Sequence, residues 1–301
     1  MSDKPGLRPK EPVGEALREI ARHILAEART AVEDKKRIEA VAVHDFRAAM
    51  KAWRAFLRLV EPHLPPSERG WRTEARDLAR MLAGARDAQA ALDALADIEQ
   101  HDAQSHRISA QIWETMRHKL EDLRGHAETT GLTPSIRARI AGAMDRAETR
   151  VERWPLDDLT FSDVAAGLRD HYQRARRSIP GDWREATAEE LHDLRQRVVT
   201  HRYQMELVEP LWPRLGRSWV REAQKLRSKL GQYHDLAVLA HHAEPNQPLS
   251  RWRSRLQTVI RERQAQHITA ARRIAGRMFA EKPKYFRRRL EAMWKGMAAS
   301  R

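Results

Sequence analysis

The sequence predicts an all-α protein, and three observations carry that reading. β-Branched residues seldom cluster or alternate, and Ala, Leu, Arg, Glu and Gln, all good helix formers, dominate the chain. A stretch of 44 residues also occurs twice, 148 positions apart, with 16 identities and no gap. The matched pairs begin His44/His192, Asp45/Asp193, Arg47/Arg195 and Arg54/Arg202, continue through Leu59/Leu207 to Pro62/Pro210, and include Pro65/Pro213, Arg69/Arg217, Trp71/Trp219, Glu74/Glu222, Leu78/Leu226, Leu82/Leu230 and Asp87/Asp235. That offset is too long for one unit of a solenoid, roughly 20–50 residues, so it marks a duplicated domain half.

The elements follow in order. Residues 1–12, with three prolines and several charges, read as a disordered tail. Helices are expected over 13–33, 39–61 and 67–84; Pro62, Pro65 and Pro66 end the second where Pro210 and Pro213 end its copy. Helices over 86–128 and 134–153 complete a first half, 13–153. The segment 154–160 (WPLDDLT), where the helical period lapses, is the junction. The second half, 161–301, is expected to hold helices over 162–179, 185–209, 214–231, 233–243, 250–281 and 284–298, with a loop at 244–248 (EPNQP).

Composition bounds the partners. Lys and Arg total 56 against 42 for Asp and Glu, a formal charge of +14, which points to a polyanion. Nucleic acid, anionic lipid and condensed phosphate all remain open on charge alone. The chain has no cysteine, so no disulfide or thiolate chemistry is available, which suits the cytoplasm. No secretory signal and no run near the ~20 apolar residues of a membrane span is present.

The charge is organised. From His44, the residues Arg47, Lys51, Arg54 and Arg58 fall within a stripe roughly 80° wide on a helix. Phe46, Ala49, Met50, Trp53, Leu57 and Val60 occupy a separate apolar arc. The second copy keeps His192, Arg195 and Arg202, but Val199 and Glu206 replace the cations equivalent to Lys51 and Arg58, so this half is expected to bind anions less strongly. His201, in the place of Trp53, is read as a core histidine. Like charges at this spacing destabilise an isolated helix, and their recurrence in two copies asks for an anion. Arginine offers a donor fork for phosphate oxygens, and protonated histidine adds a further donor. Cations spaced along about 15 Å of helix suit an extended chain of phosphates, and two such helices around a pseudo-twofold would line a basic cleft.

The stretches 43–54 (VHDFRAAMKAWR), 191–203 (LHDLRQRVVTHRY), 82–87 (LAGARD) and 230–235 (LGQYHD) together resemble the CHAD domain, the conserved histidine α-helical domain, over roughly residues 13–295. The resemblance implies two antiparallel four-helix bundles related by pseudo-twofold symmetry, a central basic cleft that binds inorganic polyphosphate, and association with polyphosphate or storage granules. Its binding positions fall on His44, Arg47, Lys51 and Arg54, and on His192, Arg195 and Arg202. Members often accompany a triphosphatase domain whose strand carries a Glu-x-Glu-x-Lys motif; this chain has none, and a stand-alone binding module is expected.

Further candidates for the cleft are Arg69, Arg72, Arg76 and Arg80, then Arg217, Arg221, Lys225 and Lys229, with Arg18, Arg22, Arg169 and Arg176 ranked below them. Whether the basic segment Lys282 to Arg289 joins them stays open. Asp87 and Asp235 are read as caps or salt bridges where helices meet, His241 and His242 as a polar helix end, and Trp71 and Trp219 as packing groups. His-Asp dipeptides invite a metal-dependent phosphohydrolase, but the group duplicated beside each histidine is arginine, which repels a cation. No Gly-rich phosphate loop or nucleophile elbow is present. No catalysis, metal or cofactor is expected. Nucleic-acid binding stands as the competing function, with metal-dependent hydrolysis behind it.

Overall fold

α1 (Val13–Glu33) turns Leu17, Ile20, Ile24, Leu25 and Ala28 inward at helical spacing, and its second residue, Gly14, has no room for a side chain: a Cβ there would stand 2.2 Å from the carbonyl oxygen of Leu156. A computed structural model describes residues 4–34, 36–68, 70–82, 86–102, 107–127 and 132–299. Among them are eleven α-helices and no strand. The others are α2 (Glu39–Val60), α3 (Trp71–Met81), α4 (Arg86–Asp102), α5 (Ala110–Ala127), α6 (Pro134–Val151), α7 (Phe161–Arg177), α8 (Ala188–Val208), α9 (Pro213–His242), α10 (Arg253–Met278) and α11 (Pro283–Ala299).

Several boundaries have visible causes. α2 ends at Pro62 in a single 3-10 turn, and α8 ends the same way at Pro210. α3 starts only after Gly70, whose φ of 114° is open to glycine alone at little cost. α8 starts at 188 because Thr187 caps it: its hydroxyl accepts from the Glu190 N–H at 3.2 Å, while the Glu190 carboxylate accepts from the Thr187 N–H at 2.8 Å.

Two helix expectations are corrected. The stretch 86–128 is two helices, because the buried Asp102 carboxylate accepts from the Ile108 N–H at 3.1 Å and from Arg107 Nε at 2.9 Å, which folds the chain back. Conversely, 214–231 and 233–243 form one helix. Gly231 does not break it; its bare Cα makes room for the Arg195 guanidinium, whose Nη2 would stand 3.3 Å from a Cβ there. Asp235 therefore lies inside α9 and not where two helices meet, whereas Asp87 sits in the first turn of α4.

Packing repeats with the duplication. α1 lies on α2 as α7 lies on α8; α2 on α3 as α8 on α9; α1 on α6 as α7 on α11; and α4 on α5 as α9 on α10. The apolar interior, however, is not divided by halves. One core gathers α1, α2, α3 and α6 with α7, α8, α11, the start of α9 and the end of α10; there Trp53 stacks on Phe56 and Trp154 at 5.7 and 5.9 Å. A second core takes α4 and α5 from one half and the end of α9 and start of α10 from the other. It is clamped by Arg263, which reaches both Asp97 oxygens at 2.8 and 2.6 Å, with His267 on the same carboxylate at 2.8 Å.

The expectation of a disordered tail over 1–12 fails for the described residues 4–12. Leu7 is fully buried in the larger core, its N–H donates to the Leu207 carbonyl at 2.8 Å, and Gly6 packs against Pro210. One apolar anchor and one backbone bond outweigh the polar composition around them. Leu7→Ala is expected to cost about 2–5 kcal/mol in urea unfolding, and a loss within the scatter of surface substitutions, about 0.5 kcal/mol, would show that the segment does not dock.

Candidate anion-binding site

α2 carries the first ladder on the face opposite its apolar stripe. His44 and Lys51 are exposed, while Arg54 and Arg58 are half-buried because α3 packs along that side. α3 presents Arg72, Arg76 and Arg80, one turn apart and hence on one face, toward Arg54. Burial, and then the charges of Arg76, Arg72 and Arg80, hold the Arg54 guanidinium below the usual arginine range. Arg58 is lowered by burial and by Arg72 and Arg54, with Glu61 acting against them and Arg197 of α8 adding to them.

Compensation is thin. Arg72 Nε lies 2.7 Å from Glu61, and Asp77 serves both Arg76 at 3.1 Å and Arg80 at 3.8 Å. Among the described residues Arg54 and Arg58 have no salt bridge. Arg69 lies outside the described residues.

The arginines three places after each histidine have a different task. Arg47 donates to the Leu82 carbonyl at the end of α3, at 3.1 Å. Arg195 lies over Gly231, one residue beyond Leu230, the counterpart of Leu82. Each ties its ladder helix to the next helix at the same place, so their recurrence reflects packing as well as charge.

The second ladder is neutralised. Arg202 stacks over Tyr203 at 4.0 Å, donates to Gln224 at 3.1 Å and pairs with Glu206 at 3.4 Å. By the 148-residue offset Gln224 stands where Arg76 does, Glu206 where Arg58 does, and Val220 and Ser228 where Arg72 and Arg80 do. Burial pushes the Glu206 carboxyl up, with Arg202 and Lys4 acting against it. His192 is exposed, its ring 5.9 Å from that of His234.

Other predicted cations are placed elsewhere. Arg221, Lys225 and Lys229 come one residue after the counterparts of the α3 stripe, about 100° further round the helix, and Arg217, the counterpart of Arg69, lies one turn before Arg221. Arg221 reaches Ser218 at 3.4 Å, Lys225 pairs with Glu222 at 2.8 Å and Lys229 donates to Gln232 at 2.9 Å. Arg18 is buried and braces the junction through the Trp154 carbonyl at 2.9 Å and Asp157 at 2.6 Å; Arg22 holds Glu15 and Glu152 at 2.7 and 3.0 Å. Arg169 pairs with Asp170 at 2.6 Å, and Arg176 donates to the Phe279 carbonyl at 2.9 Å. These four are framework cations. Sequence reasoning misses Arg197 and Arg174, whose counterparts are Ala49 and Ala26, because comparing the copies removes positions filled in only one of them, and it passes over His171, whose counterpart is His23.

Beneath the site runs a buried polar chain. The Trp219 indole N–H donates to His201 Nε2 at 2.9 Å, which places the His201 proton on Nδ1, and Gln204 reaches both the Ala55 carbonyl and His171 Nδ1 at 2.9 Å. Burial, the charge of neighbouring His171 and that of Arg289 hold His201 down to about 3; burial, Arg174 and Arg58 hold His171 down to about 4. His201 is thus the core histidine expected. Among the described residues no three His, Asp or Glu side chains gather as a metal site, and no helix is long and apolar enough to cross a membrane.

The fold and the doubled ladder define a helical protein built by duplication, with one copy's cations concentrated at α2 and α3. The CHAD domain family matches residues 15–244, and the chain belongs to that family. No curated protein matches it. Among solved structures it is similar to the CHAD domain from the plant Ricinus communis, with a TM-score of 0.61 and 17% identity over 91% of this chain and 95% of that one. It is also similar to PptA from Streptomyces chartreusis, with a TM-score of 0.63 and 17% identity over 90% and 100%. At such identity they share the fold.

His201 and the half-buried His171 set an acid limit on stability. Each is neutral when folded and regains a pKa near 6.5 on unfolding, so the unfolded chain binds more protons from about pH 6.5 down to the folded values, and stability falls with pH across that window. Between pH 7 and pH 5 His201 alone is expected to remove about 2 kcal/mol. His201→Gln keeps an acceptor for Trp219 and does not titrate; the loss of stability between the two pH values in urea unfolding should shrink by about 2 kcal/mol in this variant, His171 still contributing its own share, and an unchanged loss would refute the assignment.

Proposed function

We propose that this protein binds inorganic polyphosphate without turning it over, through the cation cluster of α2 and α3. One observation carries the reading: Arg54 and Arg58 are half-buried, mutually repelling and without a salt bridge among the described residues, beside Arg72, Arg76 and Arg80. Such an arrangement works against the folded protein and is relieved by an anion in its midst. Guanidinium forks match phosphate oxygens, and the stripe from His44 to Arg58 runs about 20 Å along the helix, which suits a polymer better than a single phosphate.

Nucleic acid is the competing polyanion. Single strands bind by stacking bases on aromatic side chains as well as by charge. The exposed large aromatics here, Trp212 and Tyr285, lie on other elements than α2 and α3. A site that reads charge spacing and offers no stacking platform suits a chain with no bases. Attachment to polyphosphate or storage granules in the cytoplasm would follow from such binding.

The repulsion gives the reading its test. Arg54→Gln and Arg58→Gln should each weaken binding of long-chain polyphosphate about tenfold at physiological salt and leave the free protein as stable or up to about 1 kcal/mol more stable, since a like-charge contact is lost. Unchanged affinity in both variants would sink the proposal, as would displacement of polyphosphate by tRNA at equal phosphate concentration. The salt dependence should follow the same residues: each arginine removed lowers the slope of log K against log salt by about 0.7–0.9, read from titrations at several ionic strengths. Polyphosphate incubated with the protein and magnesium should release no orthophosphate; release abolished by His44→Ala would make the protein an enzyme.

A further inference from the structure

We infer that a polyphosphate chain held at Arg54 leaves the first ladder at Arg58 and crosses onto α7 and α8 at His171, Arg174 and Arg197, and does not follow the second ladder to Arg202. This rests on the polyphosphate reading and concerns the path that the polymer takes.

The crossing lies where the two halves meet. α2 and α8 are joined by Tyr203 Oη donating to the Ala48 carbonyl at 3.2 Å and Gln204 Nε2 to the Ala55 carbonyl at 2.9 Å. α7 is drawn in by His171 Nδ1, 2.9 Å from Gln204 Nε2, and by Gly167, where a Cβ would stand 2.8 Å from Leu59 Cδ1. Arg58 is one turn beyond Ala55 on α2, Arg197 two turns before Gln204 on the same face of α8, and Arg174 one turn beyond His171 on α7. Three helices thus bring their cations to one edge of the interface.

The charges act on one another there. Arg197 depresses Arg58, and Arg58 and Arg174 depress His171, which Asp170 opposes and His201 borders from below. Asp170 is engaged by Arg169 at 2.6 Å, and Asp193 takes Arg197 at 2.7 Å. Arg174 is exposed and, among the described residues, has no salt bridge.

The pseudo-twofold counterpart of this edge shows what it lacks. By the 148-residue offset, Arg58 corresponds to Glu206, Arg197 to Ala49, Arg174 to Ala26 and His171 to His23. That second edge is acidic and brings its own counter-charge: Lys4, on the docked N-terminal segment, lies 3.1 Å from Glu27 and acts on Glu206, while His23 stands 3.4 Å from Glu27. At the first edge Asp193 answers Arg197, whereas Arg58 and Arg174 have no salt bridge among the described residues. A chain leaving Arg54 therefore meets cations toward Arg58, Arg197 and Arg174, and a neutral or acidic surface toward Gln224 and Glu206.

The experiment compares tripolyphosphate with long-chain polyphosphate on the full chain. The double variant Arg174→Gln/Arg197→Gln should lose about tenfold in affinity for the long polymer and less than about twofold for tripolyphosphate, with the melting temperature retained because both side chains are at the surface. Arg202→Gln should change neither by more than about twofold. If Arg54→Gln weakens binding but the double variant does not, the crossing is wrong and the polyphosphate reading stands. An equal loss of tripolyphosphate in the double variant, or a loss in Arg202→Gln as large as its own, also overturns the crossing. If Arg54→Gln has no effect either, the reading itself fails and the crossing with it.

Discussion

The contact between α2 and α8 is the constraint on which the rest of the molecule depends. Two helical carbonyls, Ala48 and Ala55, already engaged within their own helix, each accept a second bond from the partner helix through Tyr203 and Gln204. Carbonyl oxygens have the lone pairs for this, and alanines along α2 let the backbones approach. The contact joins Ala48 and Ala55 of one copy to Tyr203 and Gln204 of the other, and Ala55 and Tyr203 are the same place in the duplicated stretch. The two ladder helices are therefore bonded directly to each other, and the surroundings of each ladder are fixed relative to the other. Gln204, fully buried and bonded to His171, and the separate pair of Trp219 and His201 are the internal scaffold of that contact.

On this symmetric frame the charges are asymmetric. Arg54 and Arg202 are equivalent residues with opposite surroundings: one faces three arginines, the other an amide, a carboxylate and an aromatic ring that together satisfy it. A satisfied guanidinium is part of the framework and has little to gain from phosphate. An unsatisfied one is held at a disadvantage that a ligand removes. The same division separates Arg18, buried and bonded to Trp154 and Asp157, from Arg58. Net charge alone does not distinguish these cases, because it counts every arginine alike.

Much of this was legible in the sequence. The bounds of α1 and the separation of ladder stripe from apolar arc on α2 are legible, and the acid at Glu206 that pairs with Arg202 is visible from one substitution. Other features were hidden for physical reasons. Asp102 folds the chain back through a contact with Ile108 that no helical period announces. Gly231 looks like a stop and instead makes room for a neighbour's guanidinium. Leu7 is a single apolar residue in a polar segment, and composition averages it away. The sharing of both cores between the halves depends on which helix ends come together, and the duplication does not encode that.

The duplication itself misled in one respect, and the reason is general. Agreement between the two copies points to a ligand in the sequence alone, and in the structure several of the agreeing side chains also hold the frame. Arg47 and Arg195 secure the next helix, Trp71 and Trp219 hydrogen-bond to Glu68 and His201, and the paired leucines fill the core. The excess of cations around the first copy lies largely where the copies disagree: Arg58 against Glu206, Arg76 against Gln224, Arg197 against Ala49. Duplicated halves must keep what both need to pack, whereas a ligand that crosses a twofold interface once needs its contacts on one side only. Identity between the halves therefore reports the scaffold as much as any site, and the differences between them set where the cations concentrate.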